Sequence, residues 1–471
     1  MTRTTVAAID LGATSGRVIV GVFSPSAGLQ LTEVHRFPNS FHQLGENFYW
    51  DVGGLFTEIK KGLREAKKLF PELISCGIDV WGCDVAFLNK SGRLVFPVHA
   101  YRDTRTEPLL ARIKAAGDDQ KLYEWTGLPA INYNTGLQLR ETVEACPELV
   151  QLADRCLWLP DYFNYLLSGT MVNEFSIAST AMMLDLHSEG YSKEAFNYFK
   201  IPAKWFAGPH KAGQKLGKIK DIDGLGEIEV VLVPGHDTSC AFEAIPRTGS
   251  DLIISSGTWM LAGAMLDKPA SGDAAWKLGI SNERCGDGSY RPLKILIGLW
   301  LLEQMLATFS ERPKNEAEWG ALIQAAEDQP APSVLLDTED RARLFNPKNM
   351  REAIDDQLLS RGATPPDSIA GYVRLICDSL GQTVATAAKK FEAITETHFE
   401  NIVIVGGGAK NRLLCQRIAD YSRLPVYSYN LEATSVGNMG YQLVAQGVVP
   451  SMAAFHESIL GGLNKKVYLP E

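Results

Sequence analysis

The sequence predicts a two-domain α/β protein in which one domain type occurs twice. The chain has 471 residues, of which 45% are hydrophobic, and this is enough for two separate cores. Short apolar runs alternate with glycine-rich turns and with segments of helical period. A strand–glycine turn–strand pattern appears around Gly12 and again around Gly257. We interpret this repetition as an internal duplication.

The first half opens with three predicted strands. They cover Thr5–Ile9, Arg17–Phe23 and Leu29–Phe37, and turns of small residues separate them. A segment of helical period at Leu55–Leu69 precedes a further apolar run at Leu73–Val80. This order predicts an antiparallel meander that continues into a parallel βαβ unit.

The second half repeats the same devices. Predicted strands at Asp251–Ser256 and Thr258–Ala264 flank the turn at Gly257. Near the C-terminus, a buried-strand run at Asn401–Val405 leads through three glycines into a helix from about Lys410 to Tyr421. A strand at Pro425–Tyr429 follows. We place the domain junction at Ala244–Ser250, so that residues 1–246 and 247–471 form the two predicted domains.

Composition excludes several classes of partner and compartment. The formal net charge is −9 and the pI is about 5.5, so we expect no binding to nucleic acid or to anionic membranes. The eight cysteines form no CxxC pair, and the eight histidines show no zinc-type spacing. No apolar stretch is long enough to span a bilayer. We therefore expect a cytoplasmic protein with reduced, buried thiols.

Two turns of small residues are candidate phosphate sites. Asp10–Arg17 ends a strand in a carboxylate and then offers backbone N–H groups and hydroxyls, to which a phosphate can approach closely. Asp10 can hold Mg²⁺, directly or through water, and Arg17 can offset phosphate charge. Ser255–Thr258 has the corresponding place in the second half. The alternative for each is a plain hairpin turn, but the duplicated positions favour a pair that clamps a polyphosphate.

A third turn, Gly406–Asn411, lies between a strand and a helix. Three consecutive glycines exceed what a simple connection needs and favour a nucleotide at the helix N-terminus, with tight packing as the alternative. Neither a Walker A pattern nor GxGxxG occurs in the chain. Any ATP is therefore bound without a P-loop or a Rossmann fingerprint.

Two further segments carry candidate substrate chemistry. Pro234–Ser239 follows an apolar strand and contains Asp237, which can serve as the base that phosphoryl transfer to an alcohol needs. The alternative is that Asp237 only caps the following helix. Gly77–Asp84 ends in Trp81-Gly82 between two carboxylates, which suits a sugar with apolar faces and polar edges. The alternative is a strand end with a half-buried Trp.

Taken together, these motifs resemble known proteins. The turns at Asp10–Arg17, Ser255–Thr258 and Gly406–Asn411 are similar to the phosphate and adenosine loops of the actin, Hsp70 and hexokinase superfamily. Several other segments resemble the FGGY carbohydrate kinases, and within that family the L-rhamnulose kinases. The segments similar to the FGGY family are Gly77–Asp84, Tyr101–Arg105, Pro160–Phe163, Leu167–Gly169, Glu174–Thr180 and Gly235–Asp237. Those similar to the L-rhamnulose kinases are Asp10–Arg17, Gly77–Asp79 with Trp81-Gly82, Tyr101–Arg105, His236–Thr238, Ser255–Trp259 and Gly298–Leu302.

The resemblance implies two RNase H-like domains with an interdomain cleft that holds a ketose and MgATP. It implies that Asp237 is the proton acceptor and that Asp10 organises Mg²⁺. The turns and the resemblance together give the expected nucleotide contacts: Ala13, Thr14, Ser15, Gly16, Arg17, Gly257, Thr258, Gly406, Gly407 and Asn411. The expected substrate contacts are Trp81, Gly82, His236, Asp237 and Thr238. The N-terminal domain would hold sugar, and the C-terminal domain would hold nucleotide.

Two positions depart from the L-rhamnulose kinase pattern. Ile295 stands where those enzymes carry a substrate-contacting Asn, and Glu303 stands where they carry a nucleotide-contacting Gln. An apolar side chain cannot replace a contact to a hydroxyl, so the preferred ketose stays open between L-rhamnulose, L-fuculose, L-ribulose and apulose. The alternative class is an actin- or Hsp70-like ATPase. Only a kinase needs the Gly77–Asp84 segment and a base such as Asp237.

Overall fold

A computed structural model describes residues 3–246 and 250–471. The chain forms two compact units, each of which is discontinuous in sequence. Unit 1 comprises Met1–Pro246, Met265–Pro292 and Glu432–Gly462, and unit 2 comprises Arg247–Ala264, Leu293–Leu431 and Leu463–Glu471. Part of the predicted junction, residues 247–249, lies outside the described residues, so the two predicted domain boundaries stay a prediction.

The N-terminal part of unit 1 is the meander and βαβ unit that the sequence predicts. Its elements are β1 (Thr4–Leu11), β2 (Ser15–Ser24), β3 (Gly28–Pro38), β4 (Phe41–Leu44), β5 (Asn47–Trp50), α1 (Val52–Leu69) and β6 (Leu73–Val80). β1 pairs antiparallel with β2, β2 pairs antiparallel with β3, and β6 lies parallel to β1. The hairpin of β4 and β5 was not predicted. The four predicted strands and the helix are confirmed.

A mostly helical segment follows β6. It contains β7 (Val85–Leu88), α2 (Glu107–Ala116), α3 (Asp118–Thr126), α4 (Thr135–Ala145), α5 (Leu149–Leu152), β8 (Arg155–Trp158), α6 (Leu159–Ser168), α7 (Phe175–Ala178) and α8 (Lys193–Phe199). β7 and β8 pair antiparallel. The segment has its own buried cluster, which includes Phe87, Trp158, Phe175 and Trp205. The short helix α7 is important for the candidate site, because its N-cap residue Glu174 accepts a hydrogen bond from the backbone of Gly235, in the loop that precedes Asp237.

Three more elements complete the first sheet: β9 (Gln214–Lys218), β10 (Glu229–Leu232) and α9 (Asp237–Glu243). The strand order is β3-β2-β1-β6-β10-β9, with β10 parallel to β6 and antiparallel to β9. The carboxyl ends of the parallel strands β1, β6 and β10 therefore meet at one edge of the sheet. Ligands bind at this edge in open α/β sheets.

The remaining chain contributes to both units. Its elements are β11 (Asp251–Ser256), β12 (Trp259–Gly263), α10 (Asp273–Leu278), β13 (Ser281–Arg284), β14 (Tyr290–Ile297), α11 (Leu299–Leu306), α12 (Glu316–Glu327), α13 (Arg341–Leu344), α14 (Met350–Ser360), α15 (Ile369–Thr395), β15 (Asn401–Gly406), α16 (Arg412–Ser422), β16 (Val426–Tyr429), α17 (Ala433–Ala445), α18 (Met452–Leu460) and β17 (Lys465–Tyr468). Of these, α10, β13, α17 and α18 belong to unit 1, and β14 begins there.

In unit 2 the strands lie in the order β14-β12-β11-β15-β16-β17. β12 pairs antiparallel with β11 and with β14, β15 lies parallel to β11 and to β16, and β17 is antiparallel to β16. This is the arrangement of β3-β2-β1-β6-β10-β9 in unit 1. The predicted duplication of one α/β domain type is therefore confirmed.

We also examined the helices for membrane-spanning potential. Among the residues that the structure describes, no helix combines the length and the apolar character that crossing a bilayer requires.

Candidate functional site

Two carboxylates lie side by side where β1 and β6 end. Asp10 and Asp79 are register partners in the parallel pair. Arg17, on the antiparallel neighbour β2, donates from Nε and NH2 to Asp10 Oδ2 at 2.9 and 2.8 Å. Burial raises the pKa of Asp10, and the guanidinium opposes that effect. Arg17 also forms an ion pair of 2.6 Å with the exposed Glu432.

Asp79 is completely buried, and a polar network from α17 holds it. Asn438 Nδ2 donates to Asp79 Oδ2 at 2.6 Å, and Gln442 Nε2 in turn donates to Asn438 Oδ1 at 2.7 Å. Burial and, secondarily, the Asp10 carboxylate raise the pKa of Asp79 well above its usual range. Its Oδ1 has no hydrogen-bond partner among the described residues. A buried acidic oxygen without a partner next to a second carboxylate is suited to a proton or to a cation.

Asp237 is the first residue of α9, immediately after the loop that follows β10. The N-cap residue is His236, so the alternative interpretation of Asp237 as the helix cap is wrong. The Asp237 Oδ1 accepts from the Thr238 backbone N–H at 2.5 Å and from its hydroxyl at 3.1 Å. The Asp237 charge contributes to the raised pKa of both Asp10 and Asp79, so the three carboxylates act on one another. The side chain is 30% exposed, which leaves it accessible to a substrate.

A buried carboxylate on the α7 turn holds the loop before Asp237. Glu174 accepts from the Gly235 N–H at 2.9 Å and from the Ser176 hydroxyl at 2.7 Å, and it caps α7 through two backbone N–H groups. A side chain at Gly235 would come within 3.2 Å of Glu174 Oε2 and 3.0 Å of Pro160, so only glycine fits without displacement. Burial raises the pKa of Glu174 to about 7, although these four hydrogen bonds oppose it.

Several of the candidate sugar contacts lie close together beside this loop. A Cβ on Gly82 would lie 3.4 Å from Thr180 Oγ1 and 3.6 Å from His236 Nε2, so glycine leaves room between these polar groups. His236 and Thr238 are both half-buried. His236 Nε2 lies 3.4 Å from Asp237 Oδ1. The arrangement can receive a hydroxylated ligand next to the carboxylate of Asp237.

Trp81 is buried, and its indole N–H is hydrogen-bonded within the protein. Its Nε1 donates to Asp84 Oδ2 at 2.9 Å, and its ring packs 4.2 Å from the ring of Trp50, which donates to the same oxygen at 2.6 Å. Gln138 donates to the other oxygen. Burial raises the pKa of Asp84 to about 6, against these donors. Asp84 therefore organises the strand end, and the Trp81 indole N–H is already engaged.

Hydrogen bonds and side-chain packing fix the conformation of the first candidate phosphate turn, residues 12–16. Gly12 donates to the Ser15 carbonyl at 2.9 Å, and Asn39 fixes the turn by donating to the carbonyls of Gly12 and Thr14. A side chain at Gly16 would come within 2.3 Å of the Phe37 ring, so this glycine is required by packing. Thr14 is exposed, and the flanking residues 13 and 15 are half-buried. Backbone and hydroxyl groups thus remain at the surface of the turn.

The second phosphate turn lies in unit 2, between β11 and β12. Gly257 donates to the Trp259 carbonyl at 2.9 Å, and the first residues of α11 close over the turn: Leu299 and Trp300 donate to the carbonyls of Gly257 and Thr258 at 3.0 Å. Gly257 and Thr258 are exposed. The turn therefore has a defined shape and an open face.

The three glycines after β15 differ in what constrains them. Gly406 has φ +84, and its added Cβ would lie 2.6 Å from the Ser256 carbonyl. At Gly408 the Cβ would lie 2.0 Å from Ser256 Oγ. Gly407 is exposed, and an added Cβ would meet nothing closer than 3.6 Å. Packing against β11 therefore explains the outer two glycines but not Gly407. Asn411 caps α16 by accepting from the Leu414 N–H at 3.1 Å.

Several residues at the unit 1 site were not predicted as functional. They are Asn39, Glu174, Glu283, Arg291 and Asn438. Glu174 lies in a segment that resembled the FGGY kinases, and that resemblance was its only signal. The others are brought to the site by contacts between residues far apart in sequence, which local patterns do not reveal.

The carboxylates at the ends of β1 and β6 suit a hard divalent cation. Asp10 and Asp79, which are register partners, supply oxygen atoms, which Mg²⁺ prefers, and the unpartnered buried oxygen of Asp79 shows acceptor capacity that the protein does not use. Asp10 is the member that lies next to the first phosphate turn in the chain. The residues present therefore fit a magnesium ion.

Comparisons with known proteins agree along almost the whole chain. Residues 5–242 match the N-terminal domain of the FGGY family of carbohydrate kinases, and residues 252–446 match its C-terminal domain. The chain is 33% identical over 467 residues to a rhamnulokinase of Pectobacterium atrosepticum, with 99% of this chain and 93% of that protein covered. A rhamnulokinase of Bacteroides thetaiotaomicron is 32% identical, with 98% and 95% covered.

Solved structures show the same fold at low sequence identity. A gluconate kinase from Lactobacillus acidophilus matches with a TM-score of 0.80 at 13% identity, covering 100% of this chain and 94% of that one. A Plasmodium falciparum glycerol kinase with ADP matches with a TM-score of 0.78 at 14% identity, covering 99% and 94%. The predicted fold class, two α/β domains of the actin and hexokinase type, is confirmed. With both family domains matched in order, the chain belongs to the FGGY family of carbohydrate kinases.

Proposed function

We propose that this carbohydrate kinase transfers the γ-phosphate of ATP to O1 of a ketose resembling L-rhamnulose, in carbohydrate catabolism. The observation that carries the proposal is the position of Asp237. It is an accessible carboxylate at the start of α9, 3.4 Å from the His236 ring that neighbours Gly82, and its charge acts on Asp10 and Asp79. The name of the relatives, rhamnulokinase, supports the choice of substrate class.

Asp237 is the proposed proton acceptor. A sugar hydroxyl is a poor nucleophile at neutral pH, because its proton must leave as the bond to phosphorus forms. The carboxylate can take that proton, while the Glu174–Gly235 hydrogen bond keeps the loop in place. Gly82, the ring of Trp81, His236 and Thr238 are the proposed ketose contacts. The half-buried hydroxyl and imidazole supply the polar groups that orient a sugar.

The nucleotide contacts come from the glycine turns of each unit. In unit 1 we assign Ala13, Thr14, Ser15, Gly16 and Arg17 to the phosphates. In unit 2 we assign Gly257 and Thr258 to the phosphates, and Gly406, Gly407 and Asn411 to the rest of the nucleotide. The open face at Gly257 and Thr258 and the unexplained absence of a side chain at Gly407 support these assignments.

Asp10 is the proposed magnesium residue. When bound, Mg²⁺ neutralises charge on the phosphates of ATP. Arg17 keeps the Asp10 carboxylate charged and oriented by its two hydrogen bonds to Oδ2. Without that guanidinium, burial next to Asp79 would favour the protonated acid, which binds cations poorly.

The test is an ADP-release assay on the purified protein with ATP, Mg²⁺ and a panel of L- and D-ketoses, followed by NMR of the product. We expect ketose-dependent turnover and phosphate on O1. L-rhamnulose should not be far preferred, because Ile295 on β14 replaces the expected Asn. A kcat/KM for L-rhamnulose well above that of every other ketose would contradict the effect assigned to Ile295. Absence of turnover with every ketose would contradict the proposal itself.

A further inference from the structure

The imidazole of His236 has two different edges. Its Nε2 faces the candidate sugar space, 3.4 Å from Asp237 Oδ1 and 3.6 Å from the position of a Cβ on Gly82. Its Nδ1 faces the protein, where it lies 3.2 Å from Arg291 NH2 and 3.2 Å from Glu283 Oε2. A neutral imidazole carries one proton, so the contacts of Nδ1 determine whether Nε2 carries that proton and can donate a hydrogen bond to a ligand.

Arg291 is a completely buried cation on β14. Its NH2 donates to Glu283 Oε2 at 2.6 Å, and its guanidinium carbon lies 5.2 Å from the centre of the Phe242 ring. The carboxylate on β13 is the counter-charge that makes such burial tolerable. Burial would raise the pKa of Glu283, but the Arg291 guanidinium holds it below its usual range, so the pair is ionised. Arg291 Nε and NH1 have no partner within the described part of the chain.

The guanidinium decides the proton position on His236. The arginine side chain can only donate hydrogen bonds, so in this contact Nδ1 must be the acceptor and must carry a lone pair. Glu283 Oε2 also lies 3.2 Å from Nδ1, but among the described residues the hydrogen-bond geometry at this nitrogen is met by the Arg291 guanidinium. A proton on Nδ1 would point at a permanent donor. The proton of a neutral ring therefore belongs on Nε2.

We propose that Arg291, held by Glu283, is a positioning residue that fixes His236 as the Nε2–H tautomer, so that the ring donates a hydrogen bond to an oxygen of the ketose. The part that concerns the ketose rests on the proposed function. The charged groups that face His236 are Asp237 from α9, Glu283 from β13 and Arg291 from β14. Asp237 is then free to accept the proton of a different hydroxyl, because His236 supplies a donor and not a second base.

The first test reads the tautomer directly in the wild-type protein and needs no turnover. Histidine ring nitrogens are labelled with ¹⁵N, and the His236 signals are assigned by their loss in His236→Ala. We expect a protonated Nε2 and an unprotonated Nδ1 at neutral pH. A proton on Nδ1 in the absence of one on Nε2, or protons on both, would overturn the proposal. Because no variant of the ion pair is required, this result does not depend on how such variants fold.

The second test asks whether Arg291 acts through His236. Both members of the pair are replaced together, as Arg291→Met with Glu283→Met, since apolar residues of similar volume often replace a buried ion pair without loss of stability. We expect the KM for the ketose to rise about tenfold, the scale of one lost hydrogen bond to substrate, with the KM for ATP unchanged. In the His236→Ala background the same double change should have no further effect on the ketose KM.

A purely structural role predicts the opposite pattern. The loss would then be equally large with and without His236, and that outcome would overturn the proposal. Glu243→Gln is the matched control: Glu243 is another buried carboxyl, the last residue of α9, and it is bonded to Tyr441, Ser239 and Gly286, so the effect of its replacement should be the same in both backgrounds. If the wild type phosphorylates no ketose, the proposed function fails, and the tautomer measurement still decides the proposal for Arg291.

Discussion

At the scale of single residues, the site consists of carboxyl groups that the fold keeps partly out of water. Asp10 and Asp79 end adjacent strands, and burial raises the pKa of both. Asp237 differs because it is accessible at the start of a helix. A proton acceptor must reach its substrate, and the buried carboxyls instead shape the field around it. Accessibility therefore separates the proposed base from its neighbours.

Glu174 gives a prediction at this scale. Glu174→Gln keeps the size of the side chain but replaces one acceptor oxygen with an NH₂ group, which cannot accept the Gly235 N–H and the Ser176 hydroxyl. The loop that carries Asp237 should shift, and we expect kcat to fall roughly 10- to 100-fold, the usual cost of a small misplacement. The affinity for ATP should not change. Steady-state kinetics and ATP titration measure both quantities.

Glu243→Gln serves as the control for this prediction. Glu243 is also buried with a raised pKa, but it is the last residue of α9, at the opposite end of the helix from Asp237, and its partners are Ser239, Gly286 and Tyr441. The kcat of Glu243→Gln should remain within about threefold of the wild type, which corresponds to a change of less than about 1 kcal/mol in the activation free energy. An equal loss in both variants would mean that any buried carboxyl is needed for folding, and that Glu174 has no special relation to the loop.

The sequence was informative about some of these residues and silent about others. Asp10, Asp79 and Asp237 follow apolar runs, so a reader can place them at strand ends without a structure. The supporting residues could not be found in this way. Asn438 reaches Asp79 from a helix more than 300 positions later in the chain, and Arg291 reaches His236 from β14. Such contacts are set by tertiary packing, on which local patterns carry no information.

At the scale of elements, the predictions succeeded where strands are buried on both faces. β1, β6 and β11 appear in the sequence as continuous apolar runs, and their observed bounds lie within two residues of those predicted. The hairpin of β4 and β5 was missed because both strands are short, β4 is mostly exposed and β5 is mostly half-buried, so that their residues follow no clear alternation. The helical segment between β7 and β8 was likewise not resolved into its helices.

The glycine turn after β15 gives a prediction at this scale. Gly407→Ala adds a methyl group that touches nothing closer than 3.6 Å, whereas Gly408→Ala drives one to 2.0 Å from Ser256 Oγ. We expect Gly407→Ala to fold with an unchanged melting temperature and to bind ATP at least tenfold more weakly, because the methyl group occupies the exposed surface that the nucleotide would approach.

Gly408→Ala is the matched control, one position along the chain. It should lower the free energy of unfolding by about 1–3 kcal/mol, as overpacking of a buried site does. Calorimetry and ATP titration on both variants distinguish the two effects. Normal ATP affinity in a folded Gly407→Ala protein would show that the absence of a side chain at Gly407 has no role in nucleotide binding.

At the scale of the whole molecule, one sheet topology is used twice and the two copies differ in chemistry. In the described part of the chain, the buried carboxyl groups with raised pKa values all belong to unit 1: Asp10, Asp79, Asp84, Asp161, Glu174 and Glu243. The proposed contacts of unit 2 are instead backbone and hydroxyl groups of glycine-rich turns. Duplication therefore provided two similar frameworks, of which one holds most of the acidic chemistry.

The buried carboxyls predict how stability depends on pH. A carboxyl whose pKa is raised by folding stabilises the protein fully below its ordinary pKa and loses this contribution as pH rises through the folded value. For Glu174 that value is about 7, so roughly 1 kcal/mol is lost above pH 6.5. His99 acts oppositely, because burial and Arg105 lower its pKa to about 3, but most of its effect is reached by pH 6.5, and only roughly 0.4 kcal/mol remains to be gained above it.

We therefore expect the melting temperature of the ligand-free protein to fall between pH 6.5 and 8, a range set by these pKa values. Glu174→Gln should make the fall shallower, since it removes one of the responsible groups. Calorimetry across this range at constant ionic strength is the measurement. A melting temperature that rises with pH would show that the buried carboxyls of unit 1 do not control stability in this range.

The central claim is that Asp237 accepts the proton of the ketose hydroxyl. Asp237→Asn keeps the size of the side chain and removes its basicity, so kcat with the best ketose of the panel should fall on the order of 10²-fold or more. ATP affinity should hardly change, because the phosphates and Mg²⁺ are assigned to other residues. The measurement is the steady-state kcat of the folded Asn variant beside its ATP Kd. A large loss of kcat at unchanged ATP affinity is the predicted result, and near-normal turnover would contradict the account.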